Sequence, residues 1–267
     1  MRNLIIITFI LISCIACKPI IVKEHLMDDL PESFAGKLKK IEAERNLFIT
    51  NSTSENTTIE YYKNRPIKGI IIYPTNKSEI EFIYGKQSKI MIDKSGQSGE
   101  ILNKFNFLYD KFGNEIYFDH YCEGKLVSSV TFENDSKGNH IKEVYRHFNS
   151  KTEVSSFESE YNYKLKYFIT KKVNGNKPYY FKKYFNKKGL IIKDGVVDEN
   201  GVFINDYSIY NYDKKGNILS VNRRGNNGRI FDKNYKYLFD KKGNIIEREI
   251  YLNNKLIDKL KIKITYK

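Results

Sequence analysis

Over the C-terminal two thirds of the chain, apolar and polar positions alternate with a period of two. In the last stretch Leu256, Asp258, Leu260, Ile262, Ile264 and Tyr266 fall on one side, and Ile257, Lys259, Lys261 and Lys263 on the other. One strand earlier, Tyr235, Tyr237 and Phe239 line one side. Period two with one apolar face is the pattern of a half-buried antiparallel strand. The alternation breaks at regular intervals, and each break is a turn. The turns read Asp110-Lys111-Phe112-Gly113-Asn114, Asp135-Ser136-Lys137-Gly138-Asn139, Asn186-Lys187-Lys188-Gly189, Asp213-Lys214-Lys215-Gly216-Asn217 and Asp240-Lys241-Lys242-Gly243-Asn244. Their first positions are spaced 25, 51, 27 and 27 apart, the step of 51 spanning an eroded copy near Tyr161-Asn162. A period of this size marks a repeat array whose single units are too small to bury a core alone.

An Asp opening such a turn accepts backbone N–H groups, and the Gly supplies the left-handed conformation that ends a type I turn with a bulge. A second set of turns lies between them, among them Glu123-Gly124-Lys125, Asn200-Gly201, Asn227-Gly228 and Asn253-Asn254-Lys255. The glycine spacing leaves about eight residues per strand with a hairpin at each end. Twenty-one Tyr and seventeen Phe, with no Trp, suit ladders of cross-strand aromatic pairs. The expected fold is all-β, a repeat-built antiparallel β-meander wound as a spiral, with one short N-terminal helix.

That helix is expected between Pro31 and Asn46, where Phe34, Leu38 and Ile41 recur at i, i+4 and i+7. Four short strands are expected between Ile59 and Ile92, forming a cap. The organisation is therefore a signal at 1–16, a tether and helix at 17–48, an N-terminal β cap at 49–100 and the hairpin repeats at 101–267.

The signal assignment rests on Arg2, the uncharged apolar run Leu4–Ile12, and small residues before a cysteine. That run is too short to span a bilayer. The pattern resembles the lipobox of bacterial lipoproteins, which implies a diacylated cysteine at the new N-terminus. Cys17, preceded by Ala16, leaves a signal of ordinary length; Cys14, preceded by Leu11-Ile12-Ser13, is the alternative. The resemblance implies a body tethered to a membrane, facing the periplasm or the cell surface. Cys122 is the only other cysteine, so no disulfide framework is expected.

Forty-six Lys and Arg against thirty-two Asp and Glu give a formal charge of +14. The excess is mostly Lys, read here as spread evenly through turns and strand faces, where it discourages edge-to-edge pairing. An exported lipoprotein does not meet DNA routinely, so no nucleic-acid partner is expected.

The heptapeptides Tyr212-Asp213-Lys214-Lys215-Gly216-Asn217-Ile218 and Phe239–Ile245 resemble the YD repeat of the RHS family, Tyr-Asp-x-x-Gly-Arg-Leu, with Asn in place of the Arg. The secondary turns, such as Asn253-Asn254-Lys255-Leu256, are similar to the hairpin tips of MORN-type repeats. The resemblance covers about residues 105–267. It implies a β-spiral architecture, but the chain has no room for the enclosed cargo domain that some members carry.

No pattern in the sequence supplies a catalytic residue, a metal site or a cofactor. His120, Cys122, His140 and His147 could be assembled on adjacent strands, yet their spacing matches no zinc pattern. The Asp-Lys-Lys-Gly-Asn turns lack the ligands of a calcium loop. Ser98 is not in a nucleophile elbow. Carboxylates outside turns alternate with basic residues, as in Glu247-Arg248-Glu249, which is a solvated strand face. The expected function is a non-catalytic binding or structural module of the cell envelope, contacting an envelope protein or an acidic glycan. The alternatives are a hydrolase of envelope polysaccharide and an accessory or immunity partner of an RHS-type secretion system.

Overall fold

The computed structural model describes residues 35–48, 53–63, 65–72, 77–148, 152–174, 177–224, 228 and 230–267. Eighteen strands run in chain order: β1 (Leu38–Leu47), β2 (Thr53–Tyr62), β3 (Arg65–Ile72), β4 (Lys77–Tyr84), β5 (Ser88–Ser95) and β6 (Ile101–Tyr109). Next come β7 (Glu115–Cys122), β8 (Lys125–Asn134), β9 (His140–Phe148), β10 (Thr152–Asn162), β11 (Tyr167–Asn174) and β12 (Lys177–Phe185). The series ends with β13 (Ile191–Val197), β14 (Phe203–Tyr212), β15 (Ile218–Arg224), β16 (Ile230–Phe239), β17 (Ile245–Leu252) and β18 (Lys255–Tyr266). Each strand pairs antiparallel with the next. β18 then returns to β1, with Ile41 opposite Ile264 and Ala43 opposite Ile262, so the meander closes into an 18-stranded barrel.

The all-β antiparallel meander is as expected, and it covers its apolar face by closing as a barrel, with no spiral winding seen among the described residues. The expected helix is absent from the described residues, and its segment is β1. A bulge between Leu38 and Lys40 inserts one residue, so Leu38 and Ile41, three apart, both bury their side chains. A bulged strand has thus reproduced the apolar spacing of a helix. Phe34, Cys14, Cys17 and His25 lie outside the described residues. The strands at 53–95 are members of the same closed sheet as the repeats.

The turns form as their chemistry requires. In the fourth copy Asp213 Oδ1 accepts the N–H groups of Lys215 and Asn217, both at 2.8 Å, and Gly216 has φ 98°. Asn217 Nδ2 donates to Asp213 Oδ2 at 2.7 Å. The Asn after the Gly, which replaces the Arg of the YD motif, therefore ties the turn shut. Neighbouring turns are joined to each other. Tyr163 donates its hydroxyl to Asp135 while Lys137 lies 3.2 Å from the centre of the Tyr163 ring. Tyr266, Asp240 and Lys242 repeat the arrangement, with the lysine 3.4 Å from the ring centre.

Direct cross-strand partners share a face, so the registers divide every strand between two walls. One wall holds Ile41, Ala43, Phe168, Phe185, Ile191, Tyr210, Ile218, Val221, Tyr235, Ile250, Leu260 and Ile262, all buried. This is the inner, concave wall. The other is charged at mid-strand: Lys259 sits 3.1 and 2.7 Å from Glu247 and Glu249, and Lys94 is 2.8 Å from Glu81. The inner wall is not uniform. From β11 to β18 it forms one sealed apolar cluster, whereas on β4–β10 its rings, including Phe82, Phe105, Phe107 and Phe157, are only half-buried.

Candidate functional site: a groove on the inner wall

Where the sealed part of the inner wall meets the open part, β9–β12 form a groove of about 590 Å³. Its walls are the rings of Tyr145, Phe157, Tyr161, Phe168 and Phe181, and it reaches the rim at Gly138 and Asn139. Alternation explains the rings: Phe157, Tyr161, Phe168 and Phe181 are inward positions of adjacent strands, and Tyr161 stacks on Phe168 with centroids 4.6 Å apart. Three charged or ionisable groups, His140, Glu143 and Lys183, stand among them.

Glu143 is the centre of this polar set. His140 Nδ1 lies 3.3 Å from its Oε1, and the Tyr145 hydroxyl donates to Oε2 at 2.9 Å. Burial pushes the Glu143 carboxyl up. The hydrogen bonds from His140 and Tyr145, with the charges of His140 and Lys183, outweigh that and hold it below its ordinary value. His140 is itself placed by the Phe132 ring, 4.5 Å away. On the far side of His140 lies Glu115 on β7. Its backbone carbonyl accepts Asn134 Nδ2 at 2.9 Å, and Asn134 is the cross-strand partner of His140. Burial raises the Glu115 carboxyl, with His140 and Lys89 opposing and Glu143 adding to the rise. Two carboxyl groups that feel each other are thus displaced in opposite directions. Deeper in the groove, Ser159 and Thr170 pair their hydroxyls at 2.8 Å.

The residues singled out in the sequence are dispersed. His120 Nε2 lies 2.9 Å from Asn103 Oδ1 and stacks on Phe105. Cys122 is a free, half-buried thiol two positions on. His147 is exposed near the opposite end of β9 from His140. Among the described residues no three His, Cys, Asp or Glu side chains are grouped to hold a metal ion. Ser98 sits in an exposed turn and donates to Glu100 at 3.2 Å. Glu247 and Glu249 are on the charged outer wall, but Arg248 between them points inward and is buried against Asp258. Glu115, Glu143 and Lys183 were not picked out by spacing. Their signal is charge at inward positions of otherwise aromatic strands.

No family model matches the chain, and no curated protein matches it. Among solved structures it is similar to a porin-like protein from Bacteroides uniformis, with TM-score 0.49 and 9% identity over 85% of this chain and 96% of the other. A porin-like protein from Bacteroides vulgatus gives TM-score 0.43 and 12% identity over 87% of this chain and 99% of the other. A chain of the Photorhabdus luminescens Tc holotoxin pore gives TM-score 0.28 and 10% identity, covering 78% of this chain and 14% of that one. Identities this low speak to shape alone. The walls themselves are informative: a membrane-spanning barrel presents an apolar belt outward, whereas here Lys259, Lys261, Glu247 and Glu249 occupy the middle of the outer wall.

Proposed function

We propose that this chain is a lipid-anchored, non-catalytic binding module of the bacterial envelope whose ligand is a glycan seated in the β9–β12 groove. The observation that carries this reading is the pairing of half-buried aromatic rings with the hydrogen-bonded Glu143–His140–Tyr145 set. A sugar ring has an apolar face that packs on Phe or Tyr and a hydroxyl edge that needs charged or polar partners, and pockets of this kind fix orientation with few polar groups. Lys183 beside Glu143, and Lys172, 5.2 Å from the Phe157 ring centre, offer cations to an acidic sugar. The linked Asp turns support kinship with YD-repeat proteins of the RHS family, in a closed form.

Calorimetric titration of the protein with neutral and uronic-acid oligosaccharides tests this. Binding is expected to weaken about tenfold in Phe157→Leu and Phe181→Leu, since a lost ring contact is worth roughly 1 kcal/mol or more. Failure of every oligosaccharide to bind at millimolar concentration would remove the glycan reading. The anchor is tested separately by fatty-acid labelling: label is expected on the wild type and lost on Cys17→Ala, or on Cys14→Ala if that residue is the modified one.

One observation favours a second reading, hydrolysis of the glycan. Acid and base roles can be divided between carboxyl groups displaced in opposite directions; Glu143 lines the groove with its carboxyl held below its ordinary value, and Glu115, beyond the groove lining, has its carboxyl raised by burial. Turnover abolished by either Glu115→Gln or Glu143→Gln would replace the binding module with an enzyme.

A further inference from the structure

Closure of the meander sorts the turns, because in an antiparallel barrel alternate hairpins emerge at opposite ends. Eight hairpins, from that between β2 and β3 to that between β16 and β17, open at one rim. Their turn segments contain twelve lysines and four aspartates. The Lys-Lys pairs at 187–188, 214–215 and 241–242 are all exposed. Among the described residues, the hairpin segments at the opposite rim contain four acidic residues, Glu100, Glu123, Asp198 and Glu199, and no basic one. The formal charge of the described turn residues is therefore +8 at one rim (12 − 4) and −4 at the other (0 − 4). The expectation of evenly spread lysines does not survive this count.

Three features give the basic rim a direction. Its aspartates accept hydrogen bonds from their own turns, as Asp213 does from Lys215 and Asn217, and Asp135 and Asp240 also accept the hydroxyls of Tyr163 and Tyr266. Large apolar side chains project among the lysines, with Phe112 78% exposed and Leu165 62% exposed. The first described residue also lies at this rim: Ala35 N–H donates to Asn244 Oδ1 at 2.5 Å, in the β16–β17 turn. Cys17 lies eighteen residues upstream of Ala35.

We propose that this rim docks the barrel on an anionic phospholipid surface, lysines against headgroup phosphates and the Phe112 and Leu165 tips entering the interface. A ring of lysines at one end suits a plane of negative charge, and clustered lysines with exposed aromatic or aliphatic tips are the chemistry of interfacial binding. The proposal rests on the rim itself and takes from the envelope reading only its orientation. On this geometry the acidic rim points away from the lipid, and the groove, which reaches the basic rim at Gly138 and Asn139, opens toward the membrane surface.

The test uses the full chain with Cys14→Ser and Cys17→Ser, so that acylation cannot contribute. Flotation with vesicles of phosphatidylglycerol and phosphatidylcholine is compared with phosphatidylcholine alone, at low salt and at about 0.5 M salt. The rim variant carries Lys111→Glu, Lys187→Glu, Lys214→Glu and Lys241→Glu, and a control carries Lys125→Glu and Lys255→Glu, the first strand residues after the β7–β8 and β17–β18 hairpins of the opposite rim. Binding is expected to require phosphatidylglycerol, to fall at high salt, and to drop about a hundredfold or more in the rim variant but not the control. Circular dichroism and melting of both variants establish that they fold. If the rim variant binds as the control does, or neither composition is bound, the proposal is overturned. Rim-dependent retention on heparin without vesicle binding also overturns it, in favour of a soluble polyanion. Loss of fatty-acid labelling from the wild type would refute the anchor while leaving this result untouched.

Discussion

Asp258→Ala is expected to lower the stability of the fold by about 3–5 kcal/mol. Asp258 is 2% exposed on β18, beside the seam at which the last strand meets the first. Its Oδ2 accepts Arg45 Nη2 and Nε at 2.7 and 3.0 Å from β1, and Arg248 Nη2 at 3.4 Å from β17. One carboxylate therefore links three strands across the closure. Its other oxygen, Oδ1, is buried with no hydrogen-bond partner, so the triad carries a desolvation penalty even when intact. Removing the acid takes away the carboxylate shared by the guanidinium groups of Arg248 and Arg45, whose side chains are 7% and 21% exposed, and loss of that buried counter-charge makes the truncation severe. Replacing all three residues together, Arg45→Met, Asp258→Leu and Arg248→Met, is expected to recover most of the loss, because a packed apolar triad avoids the penalty. Denaturant unfolding measures both variants, and hydrogen exchange in β1 shows whether the seam opens first. A loss below about 1 kcal/mol for Asp258→Ala would mean the apolar partners Ile41, Ala43, Leu260 and Ile262 close the barrel unaided.

The seam also shows what was legible in the sequence. Strand periods and turn types are local, so the meander could be read from Tyr235, Tyr237 and the Asp-Lys-Lys-Gly-Asn turns. Closure pairs Ile41 with Ile264, more than two hundred residues apart, and no local pattern encodes that. Parity counting failed where bulges intervene. Alternation alone puts Leu256 on the same side as Asp258, but the register shift opposite Ile250 and Tyr251 puts Leu256 on the outer wall and leaves Asp258 inside. Asp258 was nevertheless visible as an acid within an apolar alternation. Reading it as a buried ion required the partners that Arg45 and Arg248 supply from distant strands. The groove was illegible for a related reason: His140 and Glu143 are three apart and share a wall only because the pairing shifts between Glu133 and Asn134.

Glu143→Gln and Glu115→Gln are expected to change stability in opposite directions. Glu143 loses two charge-assisted hydrogen bonds, from His140 and Tyr145, so its substitution costs about 1.5–3 kcal/mol at neutral pH. Its folded carboxyl titrates below its ordinary value, so its contribution is fully present above the unfolded value, near 4.5, and is lost as the pH falls through the folded one. Wild type and Glu143→Gln should therefore converge in acid. Glu115 is displaced upward, mainly by burial; its folded form holds the proton more tightly than the unfolded chain does, and ionisation opposes folding. Glu115→Gln removes that buried charge and should equal or exceed the wild type at neutral pH, with the advantage vanishing in acid, where the wild-type carboxyl is already neutral. The charges facing the pair are His140, Lys89 and Lys183. Unfolding midpoints from pH 3 to 8, read beside oligosaccharide binding, separate the roles. If Glu143 orients ligand, Glu143→Gln weakens binding while Glu115→Gln leaves it near wild type. A fall in stability for both variants at neutral pH would show that Glu115 is held as an anion by its neighbours, and the division of the two carboxyl groups would fail.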